Sequence, residues 1–274
     1  MVDFWFLVMA HTIKTSSNLS AAAIRADWRL AARLIDHTLL KPDATRAQLA
    51  QLCREAAEYG FYSVCVNPAN IAQCHAELRR VPRHARSWRA GAGGTGVAVC
   101  AVIGFPLGAT TSTAKLAEAS DVLRLGAAEL DMVINIGALK SGERELVQAE
   151  MQSLARLCHT SGARLKAILE TALLTHEEKI LACQLALVAG VDFVKTSTGF
   201  AIAPQGTPSG ATVEDVVLMR GVLGDRMGVK ASGGIRSARD LLAMVEAGAS
   251  RIGSSASVAI VQELGAPSLK KSAV

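Results

Sequence analysis

The chain contains 274 residues, half of them hydrophobic and only 4% aromatic, with a formal net charge of +5 and a pI near 9.0. This composition excludes an intrinsically disordered chain, and the length allows either one large α/β barrel or two ordinary domains. Because Ala, Val, Leu and Ile carry most of the hydrophobic content, helices packed on a parallel sheet are favoured.

The positive charge does not predict a nucleic-acid partner. The one dense basic stretch, residues 79–89, contains five arginines without a series of interleaved aromatic residues on which bases could stack. We interpret this stretch as a solvated surface segment, with an anion-binding segment as the alternative.

The six cysteines show no C-x-x-C spacing, which predicts reduced thiols rather than disulfides or a structural zinc site. The apolar run at residues 4–10 is too short to span a bilayer, and an acidic residue, Asp3, precedes it. We therefore expect a cytoplasmic protein without a membrane partner, in which residues 1–28 form a loose or helical N-terminal extension.

Short apolar runs typical of parallel strands alternate with amphipathic stretches along the rest of the chain. The predicted strands lie at residues 34–37, 63–66, 97–103, 129–135, 165–170, 192–197, 228–232 and 251–254. Helical spacing of apolar residues predicts helices at residues 46–59, 112–125, 143–159, 176–189 and 237–247. A capping box that begins at Thr175 and the glycines Gly60, Gly190 and Gly248 mark helix ends.

Eight strand–helix units without an obvious linker predict a single (β/α)8 TIM barrel, an α/β fold of about 250 residues. We assign this barrel to residues 29–265 and a C-terminal tail to residues 266–274, with an open doubly wound sheet as the alternative. The G-x-G-x-x-G pattern at residues 91–96 comes before a strand rather than after one, so it does not predict a dinucleotide site.

Two lysines lie in apolar, strand-like runs, where an ammonium group is costly to bury unless it is paired or loses its proton. Lys195 precedes the hydroxyl-rich residues 196–199, and Lys230 lies just before a serine and two glycines. A lysine that attacks a carbonyl must first be neutral, and burial together with a nearby cation favours that form. The pattern indicates amine chemistry at Lys195, with a solvent-reaching lysine and a simple ion pair at Lys230 as the structural alternatives.

Asp131 and Lys166 are two further candidates. Alternation places Asp131 on the interior face of its strand, where lysines from other strands would satisfy the carboxylate. Such a carboxylate can shuttle protons, although a purely structural Asp–Lys pair would show the same sequence pattern. Lys166 shares a strand face with Glu170 and is an alternative nucleophile to Lys195.

The ends of the seventh and eighth predicted strands indicate a phosphate site. Residues 232–236 and 253–255 are rich in glycine and serine, and backbone N–H groups in such loops attract an anion, as does a following helix N-terminus. Barrels of this type often bind phosphate at these two loops. Ordinary strand–helix turns would have a similar composition.

Several segments of the chain, taken in order, resemble the deoxyribose-phosphate aldolase family of class I aldolases. The resemblance covers residues 34–260 and rests on I-D-H-T-L-L-K-P (35–42), V-C-V-N-P (64–68), V-I-G-F-P-L-G (102–108), E-L-D-M-V-I-N (129–135), K-T-S-T-G (195–199), K-A-S-G-G (230–234) and R-I-G-S-S (251–255). It implies reversible cleavage of 2-deoxy-D-ribose 5-phosphate to acetaldehyde and D-glyceraldehyde 3-phosphate through a lysine Schiff base, without a metal or other cofactor.

The resemblance also implies a role for each matching residue. Lys195 would form the Schiff base, and Asp131 and Lys230 would form the proton relay. The residues expected to bind phosphate are Gly199, Gly233, Gly234 and Ser255, and those expected to support the site are Lys166, Asp36 and Cys65.

This chain departs from the family pattern at two positions. Phe200 stands where some members have a second lysine, and Ala256 stands where the family pattern has a serine. The resemblance implies that a bound phosphate has no polar side-chain contact at these two positions. Two other functions fit the same residues: a Schiff-base aldolase of this fold that acts on another phosphorylated sugar, and a sugar-phosphate-binding regulator without turnover. Barrels of this kind often associate, so a homodimer or homotetramer is expected.

Overall fold

The computed structural model describes residues 20–80, 96–203 and 205–269. Within them, eight parallel strands form a closed barrel in which each strand pairs with the next and the last pairs with the first. The strands are β1 (Ile35–Leu39), β2 (Ser63–Val66), β3 (Ala98–Ile103), β4 (Glu129–Val133), β5 (Arg164–Ile168), β6 (Phe193–Lys195), β7 (Gly228–Ser232) and β8 (Arg251–Ser254). The predicted (β/α)8 fold is confirmed, and the open doubly wound sheet is wrong.

Helices surround this barrel. Those of the described residues are α1 (Ala21–Ala26), α2 (Trp28–Ala32), α3 (Arg46–Tyr59), α4 (Ile71–Arg80), α5 (Ser112–Arg124), α6 (Ile136–Lys140), α7 (Arg144–Thr160), α8 (His176–Val188), α9 (Val213–Leu223), α10 (Ala238–Glu246) and α11 (Ser257–Glu263). Among them, none is both long and apolar enough to cross a bilayer.

The helix-end patterns in the sequence correspond to caps in the structure. The Thr175 hydroxyl accepts a hydrogen bond from the Glu178 N–H, and the Glu178 carboxylate accepts one from the Thr175 N–H, which completes the predicted capping box. Gly60 ends α3 in the left-handed conformation, with φ of 70°. Helix α4, which the strand–helix pattern left out, buries Ile71, Cys74 and Leu78 on one face.

The predicted N-terminal extension is helical where the structure describes it. Ser20 caps α1, whose Ala21 and Ile24 are buried against the barrel domain, and α1 packs on α10. The apolar run at residues 4–10, the glycine pattern at residues 91–95 and most of the basic stretch, residues 81–89, lie outside the described residues.

Strand alternation divides the buried residues into two layers. Apolar side chains such as Leu130, Met132 and Ile252 face the helices and form one large hydrophobic core. The inward-facing positions include a cluster of seven charged side chains, together with a small apolar cluster of Leu40, Cys65, Cys100 and Val102. The barrel interior is therefore polar, which is unusual for a layer that excludes water.

Gly108, in the loop after β3, packs against the end of β4. Substitution of this glycine tests whether the loop is packed there. Its φ is +67°, and a Cβ atom added there would lie 2.1 Å from the Ile134 carbonyl oxygen. Gly142 also has a positive φ, +79°, but has nothing within 4 Å of its added Cβ. We expect Gly142→Ala to lower the free energy of unfolding by about 1–2 kcal/mol through backbone strain alone. Gly108→Ala should cost about 1–3 kcal/mol more because of the clash.

Urea denaturation of both variants measures this difference. Equal losses for Gly108→Ala and Gly142→Ala would show that the loop after β3 moves away without cost and does not pack on β4 as described.

Candidate active site

The carboxylate of Asp131 lies at the centre of the barrel interior and is bound by three lysines. Its Oδ1 accepts a hydrogen bond from Lys166 Nζ at 2.7 Å, and its Oδ2 accepts from Lys195 Nζ at 2.9 Å and from Lys230 Nζ at 2.7 Å. The strand register explains this convergence, because Asp131 pairs with Lys166 and Lys195 pairs with Lys230 across neighbouring strands. The structure brings together the four polar residues that the sequence singled out on separate strands.

The charges around Asp131 determine its protonation. Burial by itself would raise the pKa of Asp131, but the charges of Lys166, Lys195 and Lys230 outweigh it and hold that pKa well below its usual range. Burial lowers the pKa of Lys230, yet Asp131 and Asp36 outweigh it and raise that pKa. Asp131 is therefore an anion and Lys230 a cation at neutral pH.

Lys166 is isolated from the space that a substrate could enter. Its ammonium also binds Glu129 Oε2 at 2.7 Å, and its side chain has no exposed surface. Burial opposes the charge, but Asp131, Cys100 and Glu129 raise the pKa of Lys166 well above its ordinary value. This geometry disfavours Lys166 as a nucleophile.

Lys195, in contrast, lines a cavity of about 280 Å³ at the C-terminal end of the barrel. The loops after β1, β6, β7 and β8 form the rest of the wall, which is where TIM-barrel enzymes place their sites. No acidic side chain of the described residues is among those that line this cavity. The Lys195 amine therefore faces a cavity whose described wall is neutral or positively charged.

The four residues expected to bind phosphate all line this cavity: Gly199, Gly233, Gly234 and Ser255. Ser254 fixes the loop after β8, since its hydroxyl donates to the Ile235 carbonyl at 2.8 Å and accepts from the Ala256 N–H at 2.9 Å. The backbone at Ala256 thus supports the loop, although its side chain is a methyl group.

Phe200 gives the cavity an apolar edge. Its ring packs edge-to-face on Phe105, with 5.3 Å between the ring centroids, and 46% of the residue is exposed. The edge of the cavity is therefore aromatic and uncharged at position 200.

A second charged layer lies beside Asp131, and of its members Arg251, Glu129 and Asp36 only Asp36 was predicted from the sequence. Arg251 Nη1 donates to Asp36 Oδ1 and to Glu129 Oε2, each at 2.9 Å, and its guanidinium stacks 3.4 Å from the Tyr62 ring centroid. Asp36 also accepts a hydrogen bond from Lys230 Nζ. Strand alternation does place Glu129 on the face of Asp131, so the pattern that located one carboxylate also contained the other.

Two thiols lie against Asp131. Cys65 Sγ is 4.0 Å from Oδ2, and Cys100 Sγ is 3.2 Å from Oδ1. The potential ligand atoms of these three residues lie within 4.8 Å of one another, close enough together to coordinate one metal ion. Three ammonium groups bound to the same carboxylate oppose a cation at this position.

Glu170 holds the segment that follows Lys195. Its carboxylate accepts hydrogen bonds from the N–H and the hydroxyl of Thr198, and its backbone has a φ of +57°, an unfavourable conformation for a residue with a side chain. Burial raises the pKa of Glu170. This residue orders residues 195–199 without lining the cavity itself.

The structure thus combines a (β/α)8 barrel with a buried Asp–Lys cluster that lies below a glycine-rich rim, an arrangement typical of a barrel enzyme. A protein-family model described as DeoC/LacD family aldolase matches residues 30–271. The chain therefore belongs to the DeoC/LacD aldolase family, and it is a lyase. The family resemblance found in the sequence is confirmed.

Individual relatives agree with this assignment. A deoxyribose-phosphate aldolase of Thermoanaerobacter sp. (strain X514) is 51% identical over 233 residues, which cover 85% of this chain and 96% of the relative. One from Thermococcus gammatolerans is 52% identical over 231 residues, covering 84% and 95%. The solved tetrameric deoxyribose phosphate aldolase of Aeropyrum pernix has a TM-score of 0.72 and 37% identity, and the match covers 85% of this chain and 89% of that one.

The protonation of Glu170 predicts a dependence of stability on pH. A raised pKa means that the folded state binds this proton more tightly than the unfolded state does. The contribution is therefore complete below the ordinary value of 4.5 and is lost as pH rises through the folded pKa. We expect the free energy of unfolding of the wild type, relative to Glu170→Gln, to fall as pH rises above about 4.5.

Urea denaturation at a series of pH values measures this difference. Glu145→Gln, which changes an exposed glutamate of α7, supplies the background. A wild-type-minus-Glu170→Gln difference that does not vary with pH would contradict the assignment.

Proposed function

We propose that the chain is a class I aldolase that reversibly cleaves 2-deoxy-D-ribose 5-phosphate to D-glyceraldehyde 3-phosphate and acetaldehyde through a Schiff base on Lys195. The observation that carries this proposal is that Lys195 alone of the three lysines on Asp131 lines the cavity. The names of the relatives support the choice of substrate.

Ion pairing distinguishes Lys195 from the two neighbouring lysines. Within the part of the chain that the structure describes, Lys195 pairs with one carboxylate, that of Asp131, whereas Lys166 and Lys230 each pair with at least two. Lys195 is therefore the lysine of this cluster that is held by the fewest ion pairs, which favours it as the nucleophile.

In the proposed reaction, neutral Lys195 Nζ adds to the aldehyde carbon of the open-chain sugar, and loss of water leaves an iminium ion. Removal of the proton from the 3-hydroxyl then breaks the C2–C3 bond, whose electron pair moves toward the iminium nitrogen. This step releases D-glyceraldehyde 3-phosphate and leaves an enamine.

Protonation of the enamine carbon and hydrolysis of the resulting iminium release acetaldehyde and restore Lys195. Asp131, Lys230 and a water molecule transfer the protons, because Asp131 contacts both amines at hydrogen-bonding distance. The iminium ion is itself the electron sink, so the chemistry needs no metal.

The phosphate group would lie on the loops after β7 and β8. Gly233, Gly234 and Ser255 line the cavity there, and Gly199 adds the loop after β6. Backbone N–H groups bind the anion, so the methyl group of Ala256 leaves this site usable.

We also propose a homodimeric or homotetrameric assembly in the cytoplasm. The relative from Aeropyrum pernix is described as tetrameric. All six cysteines are free and buried, which suits a reducing compartment.

The Schiff-base assignment is tested by turnover and by trapping. We expect the wild type to release D-glyceraldehyde 3-phosphate from 2-deoxyribose 5-phosphate with chelator present, and Lys195→Leu to reduce this to background. Fructose phosphates and keto-deoxy sugar phosphates should yield little product. Borohydride with substrate should attach a two- or five-carbon adduct to Lys195, which mass spectrometry of peptides locates.

Lys140→Leu, which changes a partly exposed lysine paired with Glu178, is the control for loss of an amine. An adduct on Lys166 would refute Lys195 as the nucleophile. Preferred cleavage of another sugar phosphate would keep the Schiff base and refute the substrate.

Lys230 is tested through the pH dependence of the rate. Lys230→Met removes a buried positive charge close to Lys195. Because the loss of this charge favours the protonated form of Lys195, we expect kcat/KM to fall about 10²–10⁴-fold near neutrality. The rising limb of the pH–rate profile should move to higher pH. Lys140→Met should leave the profile in place, and an unshifted profile for Lys230→Met would remove the electrostatic role of this residue.

A further inference from the structure

The wall of the cavity contains two cations that the proposed chemistry does not use. Lys41 and Arg236 line the cavity together with Lys195, and the described lining residues include no carboxylate to balance them. An uncompensated positive wall attracts anions and increases their local concentration. Two cations near one phosphate site raise the question of which of them recognises the substrate.

Barrel closure places Lys41 beside the phosphate loops. Lys41 lies two residues after the end of β1, and β1 pairs with β8, which in turn pairs with β7. The loop after β8 is thus flanked by Lys41 on one side and by the loop that carries Arg236 on the other. On the β6 side of the cavity, the lining residue Phe200 is uncharged.

The Lys41 ammonium is available, and its backbone is held in place. Lys41 is exposed and forms no ion pair with any of the residues that the structure describes. The Lys41 carbonyl accepts from the Ala44 N–H at 3.2 Å, and the carbonyl of buried Leu40 accepts from Asn67 Nδ2 at 3.1 Å. Because the backbone is already fixed, the ordering cost of binding a ligand is limited to that of the Lys41 side chain.

We propose that Lys41 binds the substrate phosphate from the β1 side of the cavity and makes the enzyme select phosphorylated over unphosphorylated 2-deoxyribose. This inference rests on the proposed function and concerns the recognition of the phosphate rather than the chemistry at Lys195.

The test compares two substrates with the full-length enzyme. A hydrogen bond to a charged group contributes enough to predict that Lys41→Met lowers the ratio of kcat/KM for 2-deoxyribose 5-phosphate to that for 2-deoxyribose by about 10- to 100-fold. The loss should come mainly from KM, and Lys41→Arg should retain most of the ratio. Inorganic phosphate should inhibit Lys41→Met more weakly than the wild type by a similar factor.

Lys140→Met provides the matched control, because it removes one positive charge away from the cavity and should leave the ratio unchanged. A Lys41→Met enzyme with the wild-type ratio, or one in which both substrates lose equally, overturns the inference and leaves the proposed function intact. A wild type that cleaves neither substrate overturns both.

Discussion

The buried charge balance inside the barrel is the constraint on which the site depends. Four cations and three carboxylates of the described residues meet there, and each ion is paired: Lys166, Lys195, Lys230, Arg251, Asp36, Glu129 and Asp131. Burial of an unpaired charge is prohibitive, so the network holds only as a set. One cation is in excess, and Lys195 is the lysine that pairs with a single carboxylate among the described residues.

The closed fold places the amine cluster and the glycine-rich loops at different depths of the barrel. The amine cluster lies inside the barrel, where side chains from β4 to β7 converge, and the glycine-rich loops lie above it at the strand ends. Lys195 is the point of contact between the two, since it binds Asp131 and also lines the cavity. The cluster is buried, and burial strengthens the electrostatic interactions within it.

Much of this arrangement follows from local pattern. Apolar periodicity located every strand to within a few residues, and helix caps such as that of Thr175 followed from side chains that bond their own turn. The pattern did not separate Lys166 from Lys195, because both lie on inward faces of neighbouring strands. The pattern also did not predict that Arg251 belongs to the buried charge cluster, because its partners Asp36 and Glu129 are 215 and 122 residues away along the chain.

The sequence by itself determined the barrel, the family and the candidate amines, because strand alternation and turn chemistry are short-range properties. Tertiary structure alone decided that one carboxylate binds three lysines, that Lys195 but not Lys166 reaches the cavity, and that Lys41 stands next to the β8 loop. Each of these depends on closure, which brings β1 against β8. Contacts between residues far apart in the chain have no local pattern from which they could be predicted.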